Sequence, residues 1–521
     1  MEISQKSKKR NIKGGIILSY VYFAFSMVLS LYFDRYVLKN LGDIQYGLNS
    51  FVASITSWLS LLTFGLSSTY VRFATIAEKE EGEMGVRKTN GFYFVFVTVA
   101  SVLAAIIGGV ICVLFFTNTI NLTQYTSQQK TWINLLLVIS IISTIISFLA
   151  NFLSAYGSYK VQFIWLRSLD IFTKIGTVVF SVIAIKKGGD IVTAAIVAAS
   201  VQLAIGIANF CYCFFVIRLR INFGTKEYFK KQFRTIFSFS FFVFLNIIMN
   251  EINTALGKTV LGVLDNATSV AIFNIALIFY TYSNQLTSAI STSYVPEVNS
   301  LVVNGQHEEV DKLFVRVSIE QALVMLLILG GFIACGKSFI MAWVGESKIP
   351  AYYIGVAFLF AASVPFSQNL GIEVQRAYNK QKFRSIFYTG MAILNAIITI
   401  LAVYFLPSNL KVYGAALGTI VSLLIGTWIA INIYYKKGLH LSIGRYWKNY
   451  LILLVISLTI ALFVEGFFEL VDLSSLNPWL IFIIRGFSFT ALYFCAIALV
   501  YHSYFSQFIT KIKNKFLSFK K

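Results

Sequence analysis

The sequence predicts an all-α polytopic membrane protein of about 14 transmembrane helices, built as two parallel six-helix repeats followed by two C-terminal helices. Three observations carry that prediction. Fourteen apolar stretches run the length of the 521 residues, each long enough to cross a bilayer. The basic residues fall almost entirely in alternate gaps between them. Segments of the first half recur in the second half at a nearly constant offset.

A run of about 20 apolar residues spans a hydrocarbon core roughly 30 Å thick. Lipid admits only helices or closed barrels, because every backbone polar group must be satisfied internally. The stretches here are continuously apolar, unlike the ~10-residue alternation of barrel strands. They lie near 13–38, 46–68, 91–116, 131–153, 169–186, 191–217, 235–260, 268–293, 317–341, 350–372, 386–406, 413–435, 449–470 and 479–502. Composition agrees. Hydrophobic residues make up 57% and charged residues only 12%, with five prolines, and the mean hydropathy is +0.75. A soluble domain carries about 25% charged residues. No gap exceeds about 25 residues, so no soluble catalytic or nucleotide-binding domain is expected.

The net charge is +21. Of 43 Lys and Arg residues, 32 fall in segments on one side and 8 in segments or stretch ends on the other; Lys174, Lys258 and Arg485 lie deeper within stretches. The positive-inside rule therefore places both termini of this multi-pass protein in the cytoplasm. Loops with this charge attract anionic membrane lipids, at ~1 kcal/mol per basic residue, and the distribution argues against nucleic acid. The first stretch is too long for a signal-peptide core, and no small-residue cleavage site follows it. The cysteines all lie within stretches, and Cys211 and Cys213 point to different helix faces, so neither disulfides nor metal binding is expected. His307, His440 and His502 are expected at the surface.

The repeat shows at three places. Val37-Leu38-Lys39-Asn40-Leu41-Gly42-Asp43 is echoed by Val260-Leu261-Gly262-Val263-Leu264-Asp265-Asn266. Acidic and then basic residues after the second stretch (Glu78 to Glu83, Arg87, Lys88) return after the eighth (Glu308, Glu309, Lys312, Arg316). Ala155-Tyr156, Lys160 and Phe163 return as Ala377-Tyr378, Lys382 and Phe383. The offset divides the chain into bundles over 1–217 and 218–435, with 436–521 as an additional helix pair and basic tail. Six is even, so both halves start inside and run the same way. Parallel repeats of this kind place a substrate site between the halves near the midplane and work by rocking.

One motif misleads. Gly331-Phe332-Ile333-Ala334-Cys335-Gly336-Lys337-Ser338 matches G-x-x-x-x-G-K-[ST]. It lies at the outer end of the ninth stretch, without the strand that must precede a phosphate-binding loop. Its glycines suit close helix packing instead.

Polar side chains within the membrane are costly and mark cavities or partners. The first stretch carries Ser19, Tyr22, Ser26, Ser30 and Asp34 on one face, and the seventh carries Asn246, Asn250, Asn253, Thr254 and Lys258, with Glu251 beside them. The second and eighth show similar stripes, the latter through Asn274, Thr281, Gln285, Ser288 and Thr292. The stripes suggest either a shared wet cavity or polar contact between helices of one bundle. Arg35 and Lys258 are separated by 223 residues, the repeat offset. Two cations facing across a cleft would attract a phosphate or pyrophosphate. Lys174 either adds to them or pairs with Asp170 four residues earlier. Arg72 is an interfacial anchor or a first contact for a lipid phosphate. Glu251 and Asp34 are candidates for proton or sodium coupling, or are ion-pair partners. No catalytic residue, metal or other cofactor is called for. Arg485 is read as pairing with Glu469, and Pro365 as bending its helix.

Fourteen stretches, two halves, and the segments Leu41-Gly42-Asp43-Ile44-Gln45-Tyr46-Gly47-Leu48, Leu61-Leu62-Thr63-Phe64-Gly65-Leu66 and Arg72-Phe73 resemble the polysaccharide transporter branch of the MOP superfamily. Within it the chain is most similar to the Wzx-type flippases. The resemblance implies a MATE-like, V-shaped pair of bundles working by alternating access. It implies an undecaprenyl-pyrophosphate-linked oligosaccharide as cargo, for capsule, O-antigen or exopolysaccharide, with glycan polymerase machinery as partner. The family's basic cavity would correspond to Arg35, Lys258, Lys174 and Arg72, with Asn250 and Ser30 among its polar lining. It is less densely cationic than that of the superfamily's lipid II flippases. A cation-coupled multidrug exporter of the same fold is the alternative. A glycan polymerase or ligase would want catalytic carboxylates and a long outer loop, and the longest outer gap here is about 14 residues.

Overall fold

The computed structural model describes residues 5–120, 122–471 and 476–500. The described residues form 17 α-helices joined by short 3-10 and π-helical segments, with no strand among them. His502 and the basic tail over 503–521 lie outside the described residues.

Helix α1 (Gln5–Ser57) is two helices joined at Gly42, whose φ is +80°. Glycine alone adopts that conformation without steric cost, so the first two predicted stretches are joined by a kink, where a loop was expected. A 3-10 turn (Trp58–Thr63) leads into α2 (Leu66–Phe116), which is kinked in the same way at Gly82, with φ +62°. The gap over 72–90 is therefore helical. Its charges pair along the helix, Arg87 with Glu83 at 3.0 Å and Lys88 with Glu81 at 2.8 Å.

α3 (Ser127–Tyr159) opens with a capping box between Thr126 and Gln129. α4 (Phe163–Lys186) and α5 (Ile191–Cys211) follow, the latter capped by Asp190 and running into a π segment, Tyr212–Val216. α6 (Lys226–Glu251), a second π segment (Ile252–Leu256) and α7 (Gly257–Leu264) together cover the seventh predicted stretch. Next come α8 (Ala267–Ser293), α9 (Val295–Val303), α10 (His307–Val344), α11 (Ile349–Ser367) and α12 (Leu370–Ala377). The chain closes with α13 (Gln381–Phe405), α14 (Lys411–Leu423), a third π segment (Leu424–Ile431), α15 (Asn432–Gly438), α16 (Ile443–Leu470) and α17 (Pro478–Val500).

Eleven stretches among the described residues are long and apolar enough to cross a membrane. One of them, Leu18–Thr63, covers most of the first two predicted stretches. The helices over the seventh and eighth are not among the eleven, because Asn, Glu and Lys in the one and Ser, Thr and Asn in the other lower their hydropathy.

Packing divides the chain into two compact units: Met1–Asn274 with Lys382–Thr419, and Ile275–Gln381 with Ile420–Lys521. These limits differ from the sequence boundaries at 217 and 435. In the first unit, α1 packs on α3, α4 and α7, α2 on α3 and α6, and α5 on α3 and α4. Gly47 permits a further approach, of α1 to the start of α8: a Cβ there would lie 1.8 Å from the Ala267 carbonyl oxygen. An aromatic cluster around Tyr70, Tyr93, Phe152 and Tyr156 fills one end, with the Tyr70 hydroxyl donating to Asn90 Oδ1.

In the second unit α10 is central, packed on α11, α16 and α17. The last two helices, read as an appendage, are tied in by Ser457 Oγ donating to the Leu326 carbonyl (2.7 Å) and Tyr493 OH donating to the Leu323 carbonyl (3.0 Å). Residues 331–338 are an unbroken part of α10. A Cβ on the adjacent Gly330 would lie 2.3 Å from Ser457 Oγ and 2.5 Å from the Phe489 ring, so glycine here serves helix contact. Pro365 sits two residues before α11 ends, and α12 restarts the helix after Gln368 and Asn369. Arg485 donates to the Phe468 carbonyl at 3.2 Å and lies over the Phe468 ring. The anticipated partner, Glu469, is replaced by this backbone oxygen, with Glu465 in electrostatic range.

Candidate functional site: a charged network within the first unit

Asp34 and Tyr46 are 12 residues apart, about 18 Å along a straight helix. The kink at Gly42 folds the two arms of α1 together, and the buried Tyr46 hydroxyl donates to the Asp34 carboxylate. Tyr46 in turn accepts a hydrogen bond from Asn274 Nδ2 on α8, at 2.8 Å. The other end of that amide, Oδ1, accepts from Lys258 Nζ on α7 at 3.4 Å. A side-chain amide has both a donor and an acceptor, and so bridges a cation and a hydroxyl. Lys258 feels the charge of Glu251 on α6, which accepts a hydrogen bond from Ser57. At the other end, Asp34 lies in the field of Lys174 on α4. Asp34, Glu251, Lys174 and Lys258 are each neither fully buried nor fully exposed.

The network thus runs Lys174, Asp34, Tyr46, Asn274, Lys258, Glu251. Two carboxylates balance two ammonium groups, as low-dielectric surroundings require. A π segment separates Glu251 from Lys258; such insertions occur frequently at functional sites. Ser54 and Trp58 of the first unit flank the same helix, both bonded to Thr259 Oγ1, at 2.9 Å and 3.4 Å.

The other singled-out residues fall differently. Asp170 pairs with Arg167 at 2.8 Å, which leaves Lys174 to Asp34; the alternative of an Asp170–Lys174 pair does not form. Arg35 and Lys258 belong to the same packed unit, rather than one to each half. Arg35 is partly buried and has partners of its own. Arg72 and Asn250 are exposed, and Ser30 is partly exposed. Asn246 and Asn253 turn toward α13: Asn246 Nδ2 donates to Ser385 Oγ at 3.2 Å, and Asn253 Oδ1 accepts from Asn395 Nδ2 at 2.9 Å. Asn395 also reaches Thr419 (3.2 Å) and accepts from Thr399 (3.0 Å). For these residues the helix-contact reading of the stripe holds.

Two members of the network, Tyr46 and Asn274, were not among the candidate site residues. Both carried a signal. Tyr46 lies within the segment that bears the resemblance, and Asn274 heads the polar stripe of the eighth stretch. His307 and His440 are exposed, and His307 Nδ1 meets Tyr378 OH at 2.6 Å. Among the described residues, no three His, Cys, Asp or Glu side chains are grouped as a metal site would need.

The fold is that of MOP-type transporters. The lipid II flippase MurJ, in an inward closed conformation, superposes with a TM-score of 0.72 at 17% identity, covering 94% of this chain and 99% of that one. An inward-facing MATE family transporter of the MOP superfamily gives 0.59 at 11% identity, covering 83% and 99%. The Vibrio cholerae MATE transporter VcmN in its bent form gives 0.55 at 14%, covering 85% and 100%. No curated protein matches the sequence significantly. The pattern of the family described as polysaccharide biosynthesis protein matches residues 12–302, more than half of the chain and all six members of the network, and the chain belongs to that family.

Proposed function

We propose that the protein moves an undecaprenyl-pyrophosphate-linked oligosaccharide from the inner to the outer leaflet of a bacterial cell membrane, for assembly of a surface polysaccharide. The observation that carries this reading is the ionic network on α1, α4, α6, α7 and α8, in a chain of the polysaccharide biosynthesis family. Charges placed among apolar helices mark a path for polar cargo. A sugar headgroup crossing ~30 Å of hydrocarbon unaided would lose several kcal/mol for each unsatisfied polar group. A polar, charged lining removes most of that cost, while the prenyl tail stays in lipid. No covalent step is required.

Lys258 and Lys174 are the phosphate contacts in this reading, supported by Arg35. Arg72 is the first contact at the cytoplasmic side, and Asn250 and Ser30 serve sugar hydroxyls. Both lysines are already balanced, by Glu251 and Asp34, so cargo must compete with carboxylates. Protonating a carboxylate releases its lysine for phosphate, which links cargo uptake to proton uptake. The two sequence halves, 1–217 and 218–435, would rock to expose the path alternately, with both termini cytoplasmic.

The test is Lys258→Ala and Lys174→Ala in cells whose surface glycan depends on this gene. Glycan should be lost while the protein stays folded in the membrane. Unchanged surface glycan in both variants rejects the phosphate role. A cation-coupled exporter of the same fold is the second reading, favoured by the two carboxylates of the network. It predicts drug efflux that depends on Asp34 or Glu251, with surface glycan unaffected.

A further inference from the structure

Away from the ionic network, the first unit holds an apolar groove of about 400 Å³ between α2, α3 and α5, lined by Thr98, Leu149, Leu153, Leu203, Gly206 and Phe210 among others. Its rim residues Leu149, Leu203 and Phe210 are 38%, 45% and 43% exposed, so it opens sideways, toward what surrounds the helices. An apolar cavity stays dry, and the medium around membrane-spanning helices is hydrocarbon. The space arises from small residues: Gly206 has no neighbour nearer than 3.9 Å to where a Cβ would be.

The groove has a charged end. Leu219 is buried in the same cluster as Val97 and Leu153, which both line the groove. Its amide is held by the Cys213 carbonyl at 2.8 Å, and Cys213 Sγ contacts the Leu153 carbonyl at 3.6 Å. Leu219 thereby fixes Arg218 and Arg220, both exposed, beside the end of the groove. The Arg220 carbonyl is tied to α2 by Asn90 Nδ2 at 2.8 Å. Arg87, Lys160 and Arg220 all act on Glu83, and Glu78 joins Glu83 beside Tyr159; with Arg218, four basic side chains face these two carboxylates, so this end is net positive. Phe214 and Phe215, which follow Cys213 in the chain, are exposed. The charge rule places this end in the cytoplasm.

We propose that this groove binds an anionic phospholipid of the inner leaflet, with one acyl chain in the groove and the phosphate on Arg218 and Arg220. The apolar lining supplies the hydrocarbon site, and the basic end supplies the charge complementarity that selects an anionic headgroup. The lipid is a resident of the fold and not its cargo, so the inference does not rest on the transport reading above.

The test places the full chain in nanodiscs of phosphatidylcholine containing a trace of tail-diazirine phosphatidylglycerol, or of phosphatidylcholine with the same tail. After irradiation, adducts on residues 145–153 and 203–210 should be about tenfold stronger with phosphatidylglycerol. Gly206→Leu should remove labelling of the groove while labelling elsewhere persists. Arg218→Gln with Arg220→Gln should bring phosphatidylglycerol down to the phosphatidylcholine level. Equal labelling by the two headgroups, or groove labelling unchanged by Gly206→Leu, overturns the proposal. So does displacement of phosphatidylglycerol from the groove by a polyprenyl diphosphate, which would make the groove a cargo site. A melting profile checks each variant for folding. Should Gly206→Leu fail to fold, the arginine pair, whose side chains are exposed, carries the test alone.

Discussion

The two units satisfy their intramembrane polar groups in different ways. In the second, apart from Arg485 on the Phe468 carbonyl, neutral groups meet neutral groups. Ser363 Oγ and Tyr450 OH are 2.5 Å apart, Ser367 Oγ and Tyr446 OH 2.6 Å, and Gln368 donates to Asn432 at 2.8 Å. Each pair is complete in itself and joins neighbouring helices, the ordinary use of small polar groups in membranes. In the first unit the Lys174 to Glu251 chain carries four formal charges on separate helices. Packing alone would be served as well by apolar residues. The contrast teaches that polarity in a membrane helix has two meanings, and that formal charge separates them.

The largest test of that contrast is to remove one charge. Lys258→Ala removes the cation whose field Glu251 feels and the donor to Asn274 Oδ1, and leaving a partly buried polar group without its partner costs about 1–3 kcal/mol. Surface glycan should fall at least ~100-fold. The double variant Lys258→Met with Glu251→Gln removes both charges and should recover the melting temperature without recovering glycan. Recovery of both would reduce the network to scaffolding. Next in size, Asp34→Asn keeps a partner for Tyr46 but cannot gain a proton. Transport should drop by about tenfold, within the usual range of coupling energies, and lose its dependence on pH, as read by lipid-linked glycan flipping in vesicles across imposed proton gradients.

In the second unit the effects should be on stability only. Gly330→Ala forces a Cβ against Ser457 and Phe489, at an overpacking cost of about 1–3 kcal/mol. Transport per folded molecule should not change. Tyr450→Phe deletes one hydroxyl pair, for about 1 kcal/mol, read as a small fall in melting temperature.

The smallest effect concerns the cap of α5. Burial alone would raise Asp190, but hydrogen bonds from the Thr193 amide and hydroxyl and the Trp132 indole outweigh it and hold the carboxylate below its usual range. Its folded value lies below its unfolded one, so its stabilisation is complete above the unfolded value, near pH 4, and fades as pH falls through the folded one. The Asp190→Asn variant, still able to cap, should lose less stability between neutral pH and pH 3 than the parent chain.

The membrane helices were legible because apolar length is a local property, and so was the decoy at 331–338, for want of a strand. The joins were not. Gly42 and Gly82 replace loops with kinks, and a glycine in a polar gap reads equally as either. The site was half legible. Asp34, Lys174, Lys258 and Glu251 stood out because charge in an apolar stretch is conspicuous. Their pairing did not, since Asp170 offers Lys174 a partner at helical spacing and only the fold shows Arg167 taking it. Tyr46 and Asn274 escaped selection because a neutral tyrosine and a lone asparagine are ordinary in such helices until the kink brings them together.

The π segment over Ile252–Leu256 amounts to one residue more than an α-helix would need between Glu251 and Lys258. Each residue of an α-helix turns the chain by about 100°. Removing any one of those five should let the rod close to regular pitch without that turn, because a π turn closes over one residue more than an α turn, so the ammonium group stays near its acid. Length in this stretch is therefore less constrained than identity, and a one-codon deletion here should be less damaging than removing the lysine itself.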